Sequence, residues 1–155
     1  MAYTMREFHC FYRTQLPVPG SQAPAVRYPA CEWREAGQAN EVAGTESNLE
    51  ADVSAQQPIN RFVCSWLTSD MADVSRCDEV LRAIADIEAH HLAAWFADGD
   101  AFQVDFTATA VQFNTSNVGP EDVDWWNLPE GRFALSDVKA LLGAWRNFLV
   151  QSSER

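Results

Sequence analysis

Apolar side chains recur along this chain in two rhythms. Val80, Ile84, Ile87 and His91 follow one another at spacings of four, three and four, with Asp78, Arg82, Asp86 and Ala89 opposite. This predicts an amphipathic helix from about Arg76 to His90, with His91 continuing the buried stripe and Ser75 as its cap. Val138, Leu141, Leu142, Trp145, Phe148 and Leu149 draw a second such face after a capping Ser136. Gly143, on the polar side of that second helix, costs about 1 kcal/mol relative to Ala and reads as a close packing contact. The other rhythm has a period of two. Phe102, Val104 and Phe106 alternate with Gln103, Asp105 and Thr107, then Val111 and Phe113 with Gln112 and Asn114. That is a β-hairpin turning near Thr107 to Thr109, with one face buried and one wet.

Three further segments have strand composition. Phe8 to Arg13 is dense in aromatic and small residues until Pro17 and Pro19-Gly20 stop it, Cys31 to Trp33 is a short candidate, and Ile59 to Leu67 carries Phe62, Cys64 and Trp66 on alternate positions. Asp98-Gly99-Asp100 is a turn, and 114–130 a polar loop. The stretch 38–57 holds three Glu and one Asp but only one Leu and two Val, so it has little to bury and reads as a surface loop. The order β, β, β, α, β, β, α implies an α+β fold, an antiparallel sheet with two main helices packed on one face. At 155 residues and 47% hydrophobic content the chain fits a single domain over 1–155. Its longest unbroken apolar run, Leu92 to Ala97, is far short of the ~20 residues of a membrane-spanning helix.

Charge narrows the function classes. The chain has 22 acidic and 11 Lys or Arg residues, a net charge of -11. Between Asp70 and Glu130 there are 13 acids and 2 bases, so the whole excess lies in that segment, while the 9 acids and 9 bases elsewhere cancel. Direct nucleic-acid binding requires the opposite sign, and anionic lipid is repelled; a cationic partner is attracted. The four cysteines show no Cys-x-x-Cys spacing, and the first residues lack the apolar stretch of a secretory signal. A reduced, cytoplasmic chain is therefore expected, with its cysteines acting as small hydrophobes.

Candidate chemistry is sparse. Adjacent His90 and His91 point about 100° apart on a helix and lack a second His at the i,i+4 spacing of helical ligand pairs, so no metal is expected there. No nucleophile elbow, phosphate-cradling loop or dinucleotide fingerprint is present, so neither a catalytic set nor a cofactor is expected. The paired carboxylates Asp98/Asp100 and Asp122/Asp124 lie in polar loops, without the burial that raises a general acid's pKa. The run Glu121-Asp122-Val123-Asp124-Trp125-Trp126 reads instead as a contact surface, since Trp among carboxylates suits an Arg- or Lys-rich partner.

A helix with Ile84-x-x-Ile87, then Trp95-x-x-Asp98-Gly99, the hairpin, an acidic linker, and the pattern from Phe133 to Leu149 resemble small bacterial immunity proteins of contact-dependent growth inhibition and related polymorphic toxin systems. The resemblance covers about residues 76 to 150. It implies a non-enzymatic protein that binds its cognate toxin domain and neutralises it by covering the active site. Many such toxins are basic nucleases, so the implied partner is Arg/Lys-rich, in agreement with the charge count. The candidate contact residues are Asp98, Asp100, Asp105, Glu121, Asp122, Asp124 and Trp126. The rival readings are an acidic adaptor, chaperone or nucleic-acid mimic, and a small metal-dependent hydrolase.

Overall fold

The computed structural model describes residues 7–34, 57–116 and 127–153. Strands β1, Phe8–Gln15, and β2, Val26–Trp33, pair antiparallel as a two-stranded sheet of their own. Their connection holds a turn in which the Ser21 N–H donates to the Val18 carbonyl at 2.9 Å. Pro19 pre-sets the first central position of that turn, and Gly20, at φ 88°, supplies the left-handed second one. The Arg34 N–H bonds to the Glu7 carbonyl, and counting alternate pairs from there turns the backbone groups of Trp33, Cys31 and Pro29 away from β1. Pro29 therefore lacks a donor only on an outer edge. At Trp33 that edge is closed by the Asn60 side chain, which accepts from the Trp33 N–H at 2.7 Å and donates to its carbonyl at 2.9 Å.

The segment expected as a third strand is helical. A single π-helical stretch, Ile59–Cys64, runs directly into helix α1, Ser65–Asp70. Ile59, Phe62, Val63, Trp66 and Leu67 are buried while Arg61, Ser65 and Ser69, four apart, are exposed. That is the helical i, i+3, i+4, i+7, i+8 pattern, and it overrides the β-type composition. The alternation of Phe62, Cys64 and Trp66 is incidental, because Val63 between them and Leu67 beside them are apolar and buried too.

Helix α2, Val74–Glu88, is capped by Asp73, whose carboxylate accepts from the Ser75 N–H at 3.0 Å; Ser75 itself lies in the first turn. At the other end the His90 N–H donates to the Ile87 carbonyl and the His91 N–H to that of Asp86, with His90 at φ 62°. This is a Schellman termination with His90 in the position Gly usually fills. It ends the helix at Glu88, so His91 is exposed and does not extend the buried stripe.

The second sheet has the order β3-β4-β5-β6. It comprises β3, Ala94–Asp98, not foreseen as a strand; β4, Phe102–Thr107; β5, Val111–Thr115; and the two-residue β6, Arg132–Phe133. All neighbours are antiparallel, and the β4–β5 hairpin turns just after Thr107, as its alternation requires. Trp95, Ala97, Phe102, Val104, Phe106, Val111, Phe113 and Phe133 line its inner face and join the helices in one core. Trp66 of α1 meets Phe106 and Phe113 there, with ring centroids 6.1 and 5.3 Å away.

Helix α3, Leu135–Ser153, begins one residue before the expected cap, leaving Ser136 in its first turn. Its buried Val138, Leu141, Leu142, Trp145 and Leu149 follow the sequence pattern. Lys139 pairs with Glu88 at 2.8 Å and Arg146 with Asp78, tying α3 to α2. Gly143 meets no close packing: a Cβ there would have nothing within 4 Å. The expected loop over 38–57 lies, but for Gln57, outside the described residues, and so does 117–126 of the expected loop over 114–130. None of the described helices is long and apolar enough to cross a membrane.

Trp145 is fully buried and its indole N–H donates to the Met71 carbonyl at 2.7 Å. Trp145→Ala should therefore cost about 3–5 kcal/mol in urea melts; a loss under about 1 kcal/mol would contradict this packing. Gly143→Ala should instead stabilise, by up to about 1 kcal/mol, because a methyl there relieves the helix of glycine's entropy without a clash. A lowered urea midpoint would show that the position is tighter than it is drawn.

Candidate functional site

The turn between β3 and β4 is held from below. Asp70, the last residue of α1, receives the Ala101 N–H at 3.1 Å and the Phe102 N–H at 3.0 Å on its carboxylate. Gly99 donates its N–H to the Phe102 carbonyl at 2.9 Å, and a Cβ on it would stand 2.7 Å from the Asp70 Cγ. Glycine is needed here for close approach. The Asp98-Gly99-Asp100 turn therefore presents two exposed carboxylates while a third, from Asp70, is spent on backbone groups underneath.

From that turn the period of two sets the outer face of the sheet. Phe96 stands opposite Asp105, Asp105 opposite Gln112 and Gln112 opposite Arg132; in the next row Asp98 faces Gln103, and Gln103 faces Asn114. The β5 end of these rows is closed over. Gln112 donates its side-chain N–H to the Leu128 carbonyl at 3.0 Å, and Asn114 accepts from the Asn127 N–H at 2.7 Å. Asn127 adopts φ 56°, a left-handed conformation that Asn tolerates better than most residues. Both Gln112 and Asn114 are consequently buried on the nominally outer side. The β3–β4 end is open, and Phe96 keeps 47% of its surface exposed there.

Of the sequence-level candidates, Asp98 and Asp105 lie on this open face and neither is ion-paired with a described residue. Asp100 sits at the adjoining turn, exposed. Glu121, Asp122, Asp124 and Trp126 lie outside the described residues. Phe96 is absent from the sequence-level set, because Leu92 to Ala97 reads as one apolar run after a helix. The signal lay in the next step: Phe96 and Asp98 alternate with Trp95 and Ala97, in phase with the hairpin that follows.

The acidic segment is not one uninterrupted face. Asp78 pairs with Arg146, whose guanidinium holds the carboxyl below the usual range. Glu79 pairs with Arg76 at 2.8 Å, Glu88 with Lys139 at 2.8 Å and Glu130 with Arg61 at 3.8 Å. Asp70 and Asp73 serve backbone N–H groups. Three of the segment's carboxylates are thus met in space by bases from outside it, while Asp98 and Asp105 stand beside Phe96 with no ion pair to a described residue.

Among the described residues, no three His, Cys, Asp or Glu side chains are grouped to hold a metal. The cysteines are free thiols. Burial pushes Cys10 up to about 12, helped by Cys64, and Cys77 up to about 11, helped by Asp78 and Asp73. Cys31 is raised first by its hydrogen bond with Cys64 and then by burial. Thiols so shifted stay protonated at neutral pH and are poor nucleophiles. Comparison with protein-family models, curated proteins and solved structures finds no match to this chain.

Gly99→Ala should destabilise the fold by about 1–3 kcal/mol, the usual cost of overpacking, because the new methyl can be seated only by displacing the Asp70 carboxylate from two N–H donors. Urea melts check this, and an unchanged midpoint would show that the carboxylate is free to move aside.

Proposed function

We propose that this chain is an immunity-type binding protein, which captures a basic toxin domain on the open β3–β4 face and neutralises it by occlusion. The observation that carries the reading is Phe96, 47% exposed between Asp98 and Asp105 on a sheet face whose other end is closed. An Arg or Lys laid over the Phe96 ring gains cation–π attraction, about 0.5–1 kcal/mol while exposed and more once desolvated. The two carboxylates then accept charge-assisted hydrogen bonds from the same or neighbouring cations. Groups on a nuclease that hold phosphate would be engaged by carboxylates instead, which blocks the substrate. Asp100, and from the sequence Glu121, Asp122, Asp124 and Trp126, would extend the contact as steering charges and a second aromatic anchor. The resemblance of residues 76 to 150 to immunity proteins supports the same reading.

The test is co-expression with the C-terminal domain encoded by the gene directly upstream, read as rescue of growth, followed by binding kinetics on the purified pair. Association should slow markedly as the Debye length contracts from about 30 Å at 0.01 M salt to about 8 Å at 0.15 M, with much less change in dissociation. Asp98→Lys with Asp105→Lys should lower the association rate. Phe96→Ala should raise the dissociation rate and cost about 2 kcal/mol. Failure of rescue and of binding would remove the proposal; binding indifferent to salt and to all three substitutions would place the interface elsewhere.

A further inference from the structure

Among the described residues, the large hydrophobic side chains left exposed fall in two places. Leu16, Val18 and Val26, at 76%, 75% and 55%, crowd the far end of the β1–β2 hairpin, and Phe96 stands on the open face of β3–β4. The near half of the hairpin is anchored by buried Phe8, Ala30 and Cys31, by the Asn60 clasp on Trp33, and by Tyr12 against Phe148 at 5.2 Å. Its far half is an arm, on which every residue from Arg13 to Arg27 except Pro17 is exposed.

The two places carry opposite charge. From Arg13 to Arg27 the arm has two arginines and no acid. The Arg27 guanidinium lies 4.5 Å from the centre of the Tyr12 ring, and that of Arg13 lies 5.3 Å from Phe11 with Glu32 at 4.0 Å, so both are held along the arm by its own aromatics. The sheet face offers Asp98 and Asp105 around Phe96.

We propose that the arm of one copy docks on the β3–β4 face of a second copy, seating Leu16, Val18 and Val26 against Phe96 and bringing Arg13 and Arg27 to Asp98 and Asp105. The charges select this pairing over its alternatives. Arm against arm would gather four arginines, and face against face would double the aspartates; each arrangement juxtaposes like charges. Arm against face joins apolar to apolar and cation to anion. If each copy lends its arm to the other, the contact is made twice and closes as a two-fold dimer. The dimer would also cover Phe96, so a basic partner would have to displace it. The proposal does not rest on that partner and is tested on the chain alone.

The experiment is sedimentation equilibrium of the full chain from micromolar to millimolar concentration, at low and at physiological salt. A dimer that weakens with salt is expected. Leu16→Asp with Val18→Asp, and separately Phe96→Asp, should each weaken it by roughly tenfold or more, with circular dichroism unchanged because these side chains are already exposed. Arg13→Glu with Arg27→Glu should weaken it as well, and so should Asp98→Arg with Asp105→Arg. Mixing those two charge-reversed chains should restore a heterodimer, since the Glu arm then meets the Arg face and the native arm meets the native face, and combining all four reversals in one chain should restore dimerisation. A monomer at every concentration would overturn the proposal. So would a dimer sensitive to the arm substitutions but not to those on the sheet face, since that result means arm-to-arm contact.

Discussion

Burial of the short segment from Ile59 to Met71 is the constraint on which the rest of the molecule depends. Each larger element takes a partner from it. The hairpin is fixed by the Asn60 amide on the Trp33 backbone, the four-stranded sheet by Trp66 against Phe106 and Phe113, and α3 by the Met71 carbonyl that receives the Trp145 indole. The π-helical turn at its start belongs to the same logic. A wider turn leaves a carbonyl short of its usual partner, and here the Asn60 carbonyl receives both the Ser65 N–H and the Ser65 hydroxyl. The turn is thereby satisfied while its Asn side chain reaches sideways to act as a strand neighbour.

The open surface of the sheet is a consequence of how its two ends are finished. At the β3–β4 end, Asp70 satisfies two backbone donors from beneath and asks for Gly99, so the turn is held in place while Asp98 stays exposed. At the β5 end, Gln112 and Asn114 are drawn into hydrogen bonds with residues 127 and 128 and lose contact with solvent. One sheet face thus has a closed polar half and an open half centred on Phe96. An exposed aromatic on a rigid hairpin has little conformational entropy left to lose on binding, which is what makes it a suitable anchor.

Charge behaves differently along the chain and in space. Along the chain the excess of acids is confined to one segment, with acids and bases balanced outside it; folding brings Arg61, Lys139 and Arg146 back onto that segment. These pairs are exposed or half-exposed and contribute little stability apiece, yet they remove charge from the surface and so define where it persists. What persists includes a cationic arm and an anionic sheet face, and these two patches also hold the exposed apolar side chains.

The α+β class, the amphipathic helices α2 and α3, and the β4–β5 hairpin were determined by the sequence itself, because each rests on a periodicity of ten residues or so that a single element can satisfy alone. Asp105 as a surface carboxylate was legible for the same reason, and Asp98 from the turn chemistry of Asp98-Gly99-Asp100. Tertiary structure decided the remainder. Ile59 to Leu67 carries both a strand-like alternation and a helical pattern, and only the burial of Val63 and Leu67 as well as Phe62, Cys64 and Trp66 selects the helix. The start of β3 was hidden because Trp95 gains its meaning from Phe106 across the ladder, with ring centroids 5.7 Å apart. His91 left the apolar stripe because a backbone termination at His90 ended the helix first. Pairing between strands, ion pairs between elements and the closing of one side of a sheet all join residues distant in sequence, and local pattern carries no record of such partners.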